Sequence, residues 1–212
     1  AAGELDREQR NALLAGATDE VAQAVLRDNI EQNTLLGVEH RLSPLMIDVF
    51  RRQLIELERE ALLDRRLEYL PLDRDLAARD GTGEGLTRPE LAVIAAYTKI
   101  ALMAQLRASD LPDDPWFRRA LVNYFPSSIT ARFDAALDAH PLHREIITTC
   151  VVNDVVNNAG ISFVFRAAEE QGTSVAHILR AYTVTREVFD LEAIWSRIEA
   201  LGETGGSRAA QE

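Results

Sequence analysis

One lysine, Lys99, and one cysteine, Cys150, are all that this 212-residue chain holds of either type. A single cysteine forms no internal disulfide. Its place in the apolar stretch Ile146–Val156 suits a buried small hydrophobe rather than a nucleophile, which needs a positive and partly open environment. Such cysteine usage fits a reducing cytoplasm. Apolar runs long enough to cross a bilayer are missing, as is a charged-then-apolar leader, so the sequence predicts a cytoplasmic protein that does not enter a membrane. Positive charge is also scarce: 34 acidic side chains face 23 basic ones, a net charge of −11. That balance repels phosphate backbones and argues against nucleic acid as a partner. The adjacent pairs Arg51-Arg52, Arg65-Arg66 and Arg118-Arg119 read as solvated helix faces.

A dinucleotide cradle is lacking too. Gly81-Thr82-Gly83-Glu84-Gly85 has the wrong glycine spacing, follows the polar stretch Asp73–Asp80 rather than a strand, and places Glu84 where a phosphate would lie. It reads as part of a linker. His140, His143 and Glu145 fall short of a metal set, because Pro141 puts His140 ahead of the helix and no third ligand has a defined position. His140 reads as a loop or capping residue and His143 as an exposed first-turn side chain. Asp110, Asp113 and Asp114 read as helix caps. Trp116, Phe117, Tyr124 and Phe125 read as core or interface anchors. The residues therefore predict no catalytic, cofactor-binding or metal site in this segment.

Helical periodicity fills most of the chain, and it predicts an all-α fold: a compact multi-helix domain around a central apolar helix at about residues 88–107. Thr87 and Glu90 form a capping box at its start, with Pro89 in the first turn. From Leu91 to Ala104 only Thr98 and Lys99 are polar, so this helix is expected to be surrounded. Upstream, the pattern predicts helices over Asp6–Ala15 and Asp19–Asn33, the second capped by Thr18, a break at Gly37, and a third helix from Ser43-Pro44 to about Asp64. Residues 68–86 read as a linker between N-terminal helices (1–67) and a helical domain (87–201). Residues 202–212 lack an apolar anchor and read as a flexible tail. Downstream helices are expected over Asp114–Tyr124, Ser127–Ala139, Leu142–Asn158, Ile161–Gln171, Ser174–Phe189 and Leu191–Leu201. The β-branched run Ile146–Val156 could also form a hairpin with Ile161–Phe165, but its polar residues recur at every fourth position, which favours helix.

Those recurring residues are Glu145, Thr149, Asn153 and Asn157, a polar stripe bordered by Ile146, Val152 and Val156. A half-buried stripe of this kind needs hydrogen-bond partners. It reads as an internal network that fixes helix register, with a seam that docks onto another domain or a substrate contact as the alternatives.

In order along the chain, several segments share one family likeness: Thr18-Asp19-Glu20-Val21, Leu26-Arg27-Asp28-Asn29, the capped run Leu86–Ala104, Leu111-Pro112-Asp113-Asp114-Pro115 and Tyr124-Phe125-Pro126. Arg144–Thr149 follows, then Asn153, Val156-Asn157, Gly160, Phe163, Arg166 and Glu169–Gly172. This ordered set, spanning about residues 5 to 201, resembles the segment beyond the catalytic core of the large bacterial NAD-dependent glutamate dehydrogenases. It departs at His143 and Asn158, where arginine is common in that family. The resemblance implies that the catalytic and nicotinamide-binding residues precede this segment, and that any NAD belongs to the parent enzyme. That enzyme would deaminate L-glutamate oxidatively to 2-oxoglutarate and ammonium, reducing NAD, as a homo-oligomer, a tetramer. The segment would then support the catalytic domain of the same chain or subunit assembly. Such enzymes resemble one another in using lysines around the substrate, whereas Lys99 sits in an apolar helix. The competing expectation is a free-standing helical protein-interaction module.

Overall fold

The computed structural model describes residues 5–201, and among these it contains helices and turns but no strand. Ten α-helices follow one another: α1 Arg7–Leu42, α2 Ile47–Arg59, α3 Asp73–Thr82, α4 Arg88–Arg107, α5 Arg118–Tyr124, α6 Ser127–Leu137, α7 His143–Ala159, α8 Phe163–Gln171, α9 Val175–Val188 and α10 Leu191–Glu199. The fold is thus all-α, and the β-branched run Ile146–Val156 lies within α7. The tail read at residues 202–212 falls outside the described residues.

α4 forms where its sequence says it should. Thr87 Oγ1 accepts from the Glu90 N–H at 3.4 Å, while Glu90 Oε2 accepts from the Thr87 N–H at 2.7 Å. Leu91, Ile94 and Leu106 are fully buried on its inner face, and each contributes about 1.5–3 kcal/mol by leaving water. α7 packs along α4, α5 lies on α7, and α1 crosses α4, α6 and α7. α2 packs on α3 and α4, while α9 joins α4, α7 and α8 and also meets α10. The surrounding of α4 is incomplete, however: Ala92, Ala96, Ile100 and Ala104 form an exposed stripe. Three of the four are alanines, so little apolar area is left uncovered there.

Two expectations are corrected upstream. Asp6–Ala15, Asp19–Asn33 and the turns beyond Gly37 form one helix of 36 residues. Thr18 does not cap; its hydroxyl donates to the Leu14 carbonyl at 2.8 Å from inside the helix. Asn29 and Asn33 likewise return their amides to the Val25 and Asn29 carbonyls, so the polar residues follow the helix instead of breaking it. The start is fixed at Asp6, which makes a capping box with Gln9.

Residues 68–86, read as a linker, contain α3 and bury Leu70, Leu76 and Leu86 in a core cluster that also includes Leu35, Leu54 and Ile94. The glycine-rich stretch closes α3 and leads into α4. Gly85 passes so close to Ser43 and Pro44 that a Cβ would lie 2.7 Å from the Pro44 nitrogen. Arg65, read as part of a solvated face, is buried. It pairs with Glu58 at 2.7 Å and Asp73 at 2.7 Å and holds the loop before α3.

Candidate functional site

The polar stripe on α7 faces α4. Its last member, Asn157, is buried, and its Oδ1 accepts from Lys99 Nζ at 2.9 Å. Thr149 Oγ1 lies 3.9 Å from Met103 Sδ, and Glu145 approaches Arg107 at 3.8 Å. That last pair is exposed and adds little to stability. Three of the four stripe residues therefore meet α4, at Lys99, Met103 and Arg107, which follow one another by one turn. Asn153 is half-buried between them.

Lys99 is the most unusual charge of this seam. Burial pushes its ammonium below the ordinary lysine range, and Asp28 and Glu31 of α1 pull it part of the way back. The seam thus joins three helices, with α1 supplying the negative charge, α4 the lysine and α7 the amide.

Sequence reasoning missed a second polar cluster at the same crossing. Glu39, near the end of α1, is 5% exposed, and its Oε1 accepts from the Ile161 N–H at 2.8 Å in the turn between α7 and α8. Its other oxygen is buried without a partner. Burial raises the carboxyl above its ordinary value of 4.5, against the opposing pull of the Ile161 N–H and Arg166. Gln53 of α2, also buried, donates to Thr98 Oγ1 at 2.9 Å and to the Ile161 carbonyl at 3.3 Å. The signal for both was present: Glu39 follows Leu35 by four residues, and Gln53 lies between Phe50, Leu54 and Leu57, so each shares an inward helix face.

Glu39 gives a test by pH. Its folded value lies above its unfolded one, so the carboxyl favours the fold below its unfolded value, and this contribution is lost as pH rises through the folded value. Glu39→Gln keeps the acceptor for Ile161 and removes the titration. The variant is expected to gain stability relative to the parent chain as pH rises above about 4.5, read from urea midpoints. A gap that stays constant over that range would mean that the ionised carboxylate is fully compensated in place.

The remaining candidates are placed as structural contacts. Asp114 caps the turn at Pro115–Phe117 through the Trp116 N–H, whereas Asp113 pairs with Arg144, and Asp110 and Asp114 with Arg180. Only one of these three carboxylates is therefore a cap. His140 Nδ1 accepts from the Leu142 N–H, and His143, half-buried rather than exposed, bonds the His140 carbonyl through its own Nδ1. Burial pushes the Cys150 thiol up to about 11, which disfavours thiolate. Phe117 is buried, while Trp116 and Tyr124 are exposed. At the N-terminus of α4 the side chains of Thr87 and Glu90 fill the cap, and Arg79 holds Glu90 at 2.8 Å, so the glycine-rich approach ends on a carboxylate. A groove of about 520 Å³ lies between α2, α4 and α8, floored by Leu57, Leu102 and Val164, with Arg52 and Glu169 paired at its lip.

These contacts define a helical packing module whose polar groups bind one another across helix crossings. The chain belongs to the family described as glutamate dehydrogenase, C-terminal, whose pattern matches residues 83–208. A second pattern, described as bacterial NAD-glutamate dehydrogenase, catalytic domain, matches residues 1–39. The chain is 43% identical over 199 residues to the NAD-specific glutamate dehydrogenase of Halomonas elongata. It is 40% identical over 199 residues to that of Mycobacterium tuberculosis, and 41% over 200 to that of Pseudomonas aeruginosa. Each alignment covers 94% of this chain but 12% of the relative, so the chain spans about an eighth of their length. No solved structure matches it. No helix among the described residues is long and apolar enough to cross a membrane.

Proposed function

We propose that this segment is a non-catalytic helical part of a NAD-dependent glutamate dehydrogenase, and that it supports the catalytic domain of the same chain and the assembly of its subunits into a homo-oligomer, a tetramer. The parent reaction is oxidative deamination of L-glutamate to 2-oxoglutarate and ammonium with reduction of NAD in the cytoplasm. The observation that carries this reading is the division of the chain between two patterns. Residues 1–39 match a catalytic domain and residues 83–208 a C-terminal one, while α1 runs without a break from the first region into the core shared with the second. The packing agrees with it: Lys99 donates to Asn157 and Glu39 accepts from the Ile161 N–H, so both serve contacts between helices. In this reading the α4–α7 seam is a structural element.

The test is a pair of substitutions in the whole enzyme, Asn153→Leu with Asn157→Leu. They leave Lys99 without its acceptor, so a supporting segment responds with a lower melting temperature or an altered oligomer size, while KM for glutamate and for NAD stays unchanged. A rise in either KM, with assembly and melting intact, would place the seam in the substrate machinery and overturn the proposal.

A further inference from the structure

The first two-thirds of α1 carry apolar residues that nothing among the described residues covers. Its inner side meets α6, where Glu20 accepts from the Ser127 N–H at 2.7 Å, and further along meets α4 and α7. Its outer sides carry Leu14, Val21 and Val25 on one flank and Leu26 and Ile30 on another, each at least half exposed. At a helical repeat of 3.6 residues the two flanks lie roughly 140° apart. Five large exposed apolar side chains on one element mark a contact surface.

Resting on the function proposed above, we infer that both flanks of α1 from Leu14 to Ile30 are enclosed by the part of the catalytic domain that lies outside residues 1–39. Two observations select this occupant. The flanks diverge, so a second copy of the chain docking along one side would cover Val21 and Val25 or Leu26 and Ile30, but not both sets. The exposed residues also all fall inside the stretch that matches the catalytic-domain pattern, and that stretch ends at residue 39, where Leu35 and Glu39 turn inward to the helical core. α1 thus changes owner along its length: its first turns complete the catalytic domain, and its last turns belong to the module built around α4 and α7.

The experiment places a benzophenone amino acid at Leu26, and separately at Val25, in the whole enzyme, and maps the photo-cross-links by mass spectrometry in a mixture of isotope-labelled and unlabelled subunits. Both positions are expected to link to catalytic-domain residues of the same subunit. Links to a second subunit, links to residues 40–201, or no links at all would overturn the inference. A measurement without any substitution accompanies it. Amides from Leu14 to Ile30 are expected to exchange at least about tenfold more slowly in the whole enzyme than in the 212-residue chain, and equal rates would again overturn it. The seam substitutions described above read a different quantity: if they leave assembly and melting unchanged while Leu26 still links to the catalytic domain, the supporting role falls and the enclosed helix stands.

Discussion

Ile94→Asp is expected to lower the stability of the chain by roughly 3–5 kcal/mol, the range for an uncompensated buried charge. Ile94 is fully buried on the inner face of α4, where a carboxylate would be shut off from water. A domain of this kind holds only about 5–15 kcal/mol in total, so the variant unfolds at much lower urea or fails to fold. Ile100→Asp supplies the control on the same helix, because Ile100 lies on the exposed stripe with Ala96 and Ala104. Its effect is expected within about 0.5 kcal/mol. Urea melts of the two variants decide the matter. Equal losses would mean that the orientation of α4 is wrong and that the stripe read as exposed is buried.

α4 was legible in the sequence because everything that defines it is local: a capping box, a proline in the first turn and an apolar run. The helices after it were legible for the same reason, with Gly160 and Gly172 following α7 and α8. α1 was misread because Thr18 has the chemistry of a cap. Whether a threonine caps a helix or bonds back four residues depends on the backbone it finds itself in, and here Asp6 had already started the helix. Gly37 gave a break signal that packing overrides, since it sits inside α1 beside Arg88. In the 68–86 stretch the glycines and Pro71 hid three buried leucines at positions 70, 76 and 86, too widely spaced to show a period.

The seam divides the same way. The stripe of Glu145, Thr149, Asn153 and Asn157 follows from spacing within one helix, but Lys99 stands 58 residues from the amide it bonds. Glu39 and Ile161 are 122 residues apart. Such pairs are set by how helices cross, and the period of either helix gives only the face on which a polar residue lies. Hence the faces were readable and the partners were not.

Gly160→Ala is the second large effect. Gly160 ends α7 with φ 104° and ψ 159°, a region essentially closed to residues with a side chain, at about 1–3 kcal/mol for the backbone alone. A methyl group there would also stand 2.5 Å from Glu39 Oε1, the oxygen that accepts from Ile161. Glu39 has no room to retreat, since it is buried and its second oxygen is already without a partner. Losing the Ile161 bond leaves a buried donor and a buried carboxylate unsatisfied, for roughly another 1–3 kcal/mol. The total expected is about 2–6 kcal/mol, combining these two ranges. The two causes separate in a double-mutant cycle. Glu39→Ala removes the colliding oxygen, so combining it with Gly160→Ala is expected to cost about 1 kcal/mol less than the sum of the single changes. Glu39→Gln keeps the oxygen in place and offers no such relief. A cycle that closes additively in both cases would show that only the backbone conformation demands glycine here, and that the end of α1 and the α7–α8 turn are fastened by something other than this carboxylate.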